Sequence, residues 1–164
     1  MSMLNKTKLT VSLTAVAMCL SIPAFADSVI NVSLKDKGGT MDLSKSMGLG
    51  MAMKGDMKSA IMSVVLDKQT VSAGKITFKV SNVSKETVHE MILAPVKDTA
   101  TLMPFIENEG RVDEDKMGDI GEVSELEPGK SGSLIVDLKP GTYILYCNVP
   151  GHYMAGMWTT LVVK

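Results

Sequence analysis

The chain has 164 residues, with 17 Lys and Arg against 18 Asp and Glu, and only two cysteines and two histidines. This near balance leaves no basic face for nucleic acid. Two histidines are too few for a trinuclear copper oxidase centre, and two cysteines cannot build a disulfide-dense scaffold.

The first 26 residues read as a secretory signal peptide. Lys6 and Lys8 precede the apolar run LTVSLTAVAMCLSI, and Ala24 and Ala26 supply the small residues before a cleavage after Ala26. This predicts export to the periplasm. The apolar run falls short of the roughly 18 residues that a membrane span needs, and no later stretch approaches that length. Lipidation at Cys19 is the alternative, but Met18 stands where a small residue is expected. Cleavage would leave residues 27–164 as one domain with 15 basic and 18 acidic residues, a net charge of −3. It would also leave Cys147 as the one cysteine of an exported chain, either buried and inert, catalytic or a ligand.

From Ser28 onward, short β-branched runs alternate with turn residues, which predicts an all-β sandwich. The expected strands are VINVSL (29–34), IMSVVLD (61–67), KITFKVSN (75–82), TVHEMIL (87–93), GSLIVDL (132–138), TYILYC (142–147) and WTTLVVK (158–164). Turns are marked by Ser72-Ala73-Gly74, Glu127-Pro128-Gly129-Lys130 and Lys139-Pro140-Gly141. Two stretches break the rhythm and read as insertions: a Met-, Gly- and Lys-rich segment at about 38–60 and an acidic loop at about 95–121. Within the second, TATLMPFIEN suggests a short helical turn.

The metal-binding chemistry lies in YCNVPGHYMAGMW, where Cys147, His152 and Met157 stand five positions apart. Along TYILYC a period of two places Tyr143, Leu145 and Cys147 on one face, so Cys147 ends a strand and points inward. Pro150 and Gly151 fold the following loop back, allowing its donors to converge. His89 is the other imidazole. One thiolate, two imidazoles and one thioether suit a single type 1 copper, since the soft ligands favour Cu(I) and imidazole serves both oxidation states. Zinc gains little from a thioether and usually takes more thiolates or a carboxylate. A Cys147–His nucleophilic dyad is the enzymatic rival, but it leaves Met157 and the second histidine unused. No enzymatic activity is expected.

The segment GTYILYCNVPGHYMAGM, with KITFKVSNVSKETVHEMIL upstream, resembles the signature of the cupredoxins, the blue copper proteins. The spacing C-x4-H-x4-M is similar to that of rusticyanin-like and related bacterial periplasmic members, and the methionine-rich segment resembles that of Met-rich periplasmic copper-tolerance members. The resemblance implies a Greek-key β-sandwich of about eight strands. It also implies a copper held by His89, Cys147, His152 and Met157, with electrons leaving through the exposed edge of His152 in an apolar patch that includes Pro150, Met154 and Trp158. The implied partner is a redox protein such as a periplasmic cytochrome or oxidase, with a copper donor or acceptor if the protein handles the metal. A monomer is expected.

Three features go beyond that pattern. Glu90 follows the first histidine where many members carry a neutral residue, and strand alternation predicts that it faces solvent. Residues 107–127 carry nine acidic residues against Arg111 and Lys116, which suits a solvated loop or a docking patch for a basic partner. Finally, Met41, Met47, Met51, Met53, Met57 and Met62 place six thioethers in 22 residues. A short amphipathic helix would use them for packing, whereas Gly48, Gly50 and Gly55 favour a mobile arm able to bind Cu(I). The choice between a dedicated electron shuttle and a copper-tolerance protein therefore stays open.

Overall fold

Alternating side chains build the first sheet. Ile30, Val32 and Leu34 of β1 (Ser28–Asp36) and Ile76, Phe78 and Val80 of β4 (Gly74–Asn82) all point inward and are fully covered. The computed structural model describes residues 27–41, 46–49, 60–100 and 102–164. The remaining elements are β2 (Met62–Leu66), β3 (Thr70–Val71), β5 (His89–Val96), β6 (Phe105–Ile106), β7 (Arg111–Val112), α1 (Glu114–Met117), β8 (Gly121–Leu126), β9 (Ser131–Leu138), β10 (Gly141–Tyr146) and β11 (Trp158–Val163).

They form a sandwich of a four-stranded sheet, ordered β2-β1-β4-β9, and a five-stranded sheet, ordered β3-β11-β10-β5-β8, with β6 and β7 as a separate hairpin. Both sheets are mixed, because β1 runs parallel to β4 and β11 parallel to β3. This is the all-β sandwich the strand pattern predicts. Where β8 faces β9 the layers close tightly, and a Cβ at Gly132 would lie 2.5 Å from Val123.

β10 is covered on both faces. Tyr143, Leu145 and Cys147 enter the core between the sheets, while Ile144 and Tyr146 enter a second apolar cluster with Leu49, Met103, Val112 and Tyr153. Part of each irregular segment thus forms a cover for the outer face of the second sheet. Among the described residues of TATLMPFIEN the expected helical turn is not found: Phe105 and Ile106 pair with Val112 and Arg111 as a hairpin. The helical turn comes later, at α1, where the Asp113 side chain accepts the Lys116 N–H and Gly118 closes the C-terminus with φ of 68°.

The methionine-rich segment also departs from a free arm where it is described. Met62 is a core residue of β2, Met41 packs against that core, and Met47 is buried. Met51, Met53 and Met57 lie outside the described residues. Met47 is fixed to the metal-ligand loop, its N–H donating to the Met154 carbonyl at 2.8 Å and its carbonyl accepting Trp158 Nε1–H at 2.7 Å.

Candidate metal centre

Four local devices bring the site together at one end of the sandwich. β10 delivers Cys147, fully buried, just past the strand end. The next residues coil through successive turns, in which His152 N–H donates to Val149 O, Ala155 N–H to Gly151 O, and Met157 N–H to His152 O, at 2.9 to 3.0 Å. Gly151 and Gly156 take positive φ at the bends, a region L-residues disfavour. The loop closes where Cys147 N–H donates to the Met157 carbonyl at 3.0 Å, setting these two residues side by side.

His89 arrives from a different direction, at the start of β5, and is held by Asn82. Its Nδ2 donates to the carbonyls of Thr87 at 2.8 Å and Leu126 at 2.7 Å, and its Oδ1 accepts from the Ser84 N–H at 3.0 Å and hydroxyl at 2.7 Å. The loop entering His89 is therefore pinned to the end of β4 and to β8.

The structure brings together three of the four expected ligands as a buried cluster, His89, Cys147 and His152, whose ligand atoms all lie within 4.8 Å of one another. Both histidines present Nδ1: His89 Nδ1 is 3.3 Å from His152 Nδ1, which is 3.3 Å from Cys147 Sγ. Donors about 2.0 to 2.3 Å from a common ion have spacings of this size. Met157, the fourth expected ligand, is fully buried in the same core cluster as Cys147, whose N–H its carbonyl accepts. His152 is only 4% exposed and Trp158 and Met154 are partly buried, so the open imidazole edge is not found; residues 47–49 pack at this loop.

Burial governs the protonation states. It lowers the pKa of His152 to about 4, with the neighbouring His89 adding to the effect, and lowers that of His89 despite the Asp36 carboxylate. Both rings are thus neutral at pH 7 with a lone pair available. Burial pushes the Cys147 thiol up to about 12, against the Glu90 N–H that lies 3.5 Å from Sγ. A metal ion must displace that proton, as soft and borderline ions do.

Glu90 does not face solvent as alternation predicted. The ladder between β5 and β8 shifts register between His89 and Met91, a bulge that breaks the period of two. The Glu90 carboxylate instead accepts the Asn148 N–H at 3.1 Å, next to Cys147 in sequence. Asn148 in turn bonds Val112 through both its amide atoms and Glu114 Oε1 at 2.6 Å, so the acidic segment braces the ligand loop. Asn148 and Asp36, which contacts His89, are the site residues that sequence reasoning missed. Neither an isolated Asn after a strand nor an Asp at a strand end carries a pattern that would have marked them.

Burial, with the Glu114 charge next in effect, raises the Glu90 pKa from 4.5 to about 7. In the metal-free protein Glu90 therefore holds a proton that it has lost in the unfolded chain, and its own contribution to stability falls as pH rises from about 4.5 through 7. Glu90→Gln should flatten this part of the profile and leave the apo-protein relatively more stable at pH 8. Thermal melts at pH 5 and pH 8 check this, and equal pH differences in the two proteins would contradict it.

A buried thiol, which a metal would ionise, and two neutral imidazoles at one end of a two-sheet sandwich define the class: a cupredoxin, or blue copper protein, with a donor set that fits one type 1 copper. Residues 68–164 match the sulfocyanin (SoxE) domain, and the chain belongs to that family. Rusticyanin from Thiobacillus ferrooxidans is similar in fold, with a TM-score of 0.54 and 14% identity over 84% of this chain and 77% of its own. Auracyanin B gives a TM-score of 0.52 and 18% identity over 87% of this chain and 92% of its own. No curated protein matches the sequence.

Proposed function

We propose that the protein is an exported, periplasmic one-electron carrier in which His89, Cys147 and His152, together with the Met157 thioether, would hold one copper. When bound, the copper supplies a Cu(II)/Cu(I) couple. The observation that carries this reading is the convergence of two neutral imidazoles and one buried thiol within 4.8 Å. The chain's own contribution is rigidity: Asn82 fixes the His89 approach, and turns of the 148–157 loop fix His152 and Met157, so the ligands move little between oxidation states. The acidic segment supplies the docking charge for a basic redox partner such as a cytochrome. Two of its acids pair with the segment's cations, Glu109 with Arg111 and Asp113 with Lys116, and the others retain a negative excess. Electron transfer to a basic c-type cytochrome should slow as ionic strength rises. Stopped-flow rates independent of salt would reject this docking surface.

A second reading, copper tolerance, is favoured by the attachment of Met47, a residue of the methionine-rich segment, to the ligand loop. Thioethers select Cu(I). A variant lacking His89, Cys147 and His152 should still bind Cu(I), and conversion of Met51, Met53 and Met57 to leucine in that background should abolish the binding. Titration with Cu(I) reads this directly, and equal binding after the leucine changes returns the function to electron transfer alone. Deleting the gene separates the roles in the cell through copper sensitivity or a respiratory defect.

A further inference from the structure

His89 turns Nδ1 toward His152, and its other ring nitrogen meets a carboxylate: Nε2 lies 3.2 Å from Asp36 Oδ2. The pair bridges residues 53 positions apart, and the imidazole is fully buried while the Asp36 side chain is 11% exposed. Asp36 is the last residue of β1, and the Lys37 N–H that follows it donates to the Ile61 carbonyl, closing the base of the methionine-rich segment. Its carboxylate is already oriented, because Oδ1 accepts the Gly38 N–H at 3.0 Å and the Thr87 side chain supplies another hydrogen bond. The outer side opens on a cleft of about 420 Å³ lined by residues 37–39, Ile61 and residues 83–87.

We propose that Asp36 is a positioning residue of the metal centre, accepting the His89 Nε2–H so that the ring is held in the tautomer that offers Nδ1 to the copper. An anionic acceptor fixes the ring's orientation and raises its basicity, as metal-bound histidines with a carboxylate behind them show generally. The more basic imidazole favours Cu(II) over Cu(I), so this one contact both orients a ligand and biases the redox couple. The inference rests on His89 being a copper ligand.

The alternative is that Asp36 serves only the turn that ends β1, through Gly38. Asp36→Asn keeps a side-chain oxygen for Gly38 and removes the charge; Asp36→Ala removes both. In copper-loaded variants the intense visible band should remain, since no ligand is lost. Cu(II) affinity should fall about tenfold or more in Asp36→Ala and less in Asp36→Asn, with Cu(I) affinity changing less, so the reduction potential rises. In the Cu(I) form, proton NMR should show a slowly exchanging His89 Nε2–H in the wild type and its loss in Asp36→Ala. Unchanged potentials and a retained Nε2–H signal overturn the proposal. So does an equal loss of affinity for both oxidation states, which assigns Asp36 to the turn alone. Absence of the visible band in the copper-loaded wild type is a different failure and overturns the copper reading itself.

Discussion

Cys147→Ser should eliminate the intense visible absorption of the copper-loaded protein while leaving the sandwich folded. The band requires a thiolate bound to Cu(II), and serine offers a hard hydroxyl that does not ionise near neutral pH. Sγ is fully buried, 3.3 Å from His152 Nδ1 and 3.5 Å from the Glu90 N–H, so the smaller oxygen keeps polar neighbours and the loss of packing is confined to one atom. Any residual copper should bind to the imidazoles alone, with weaker affinity and the pale spectrum of ordinary Cu(II). Absorption spectra of the two copper-loaded proteins measure this effect. A wild-type protein that takes up copper without the band, or a serine variant that retains it, would remove the centre from Cys147.

Asn82→Ala should cause a large loss of stability, about 3 kcal/mol, or roughly a 10 °C fall in melting temperature. Alanine leaves the Leu126 carbonyl and the Ser84 N–H without their Asn82 partner, and the Ser84 hydroxyl and Thr87 carbonyl with only each other, in a position where Asn82 is almost fully buried. The backbone of Asn82 also pairs with Lys130 and Gly129, so the deleted side chain lies at the junction of three loops. Copper should recover part of the deficit by binding only the folded state. A melting temperature within about 2 °C of the wild type would mean that the loop relaxes without it.

Alternation made the central strands legible. The written pattern of β1 and β4 matches their burial because each puts β-branched or aromatic residues on one covered face, whereas β10 is covered on both. β8 was hidden because GEVSEL buries only Val123 and otherwise looks like acidic loop, and its strand character comes from pairing with β5. The helical turn lies at α1, later than TATLMPFIEN suggests, between the ordinary cap residues Asp113 and Gly118. The cluster of His89, Cys147 and His152 could be anticipated from scarcity and spacing in the sequence. The orientation of Glu90 could not, because a register shift in the β5–β8 ladder is a property of two strands and leaves no mark in one of them.

The covering of β10 on both faces bears on how the protein would gain and lose its metal. Opening that strand would expose two apolar clusters at once, so its amides should be among the slowest to exchange with solvent. The 148–157 loop is held instead by turn hydrogen bonds and by its bracing against Val112 and Glu114, outside the strand ladder. Metal would then enter and leave through local opening of this loop, with Cys147 remaining in place as the fixed half of the gate. The lifetime of the loaded state should follow the opening rate of the loop rather than the global unfolding rate.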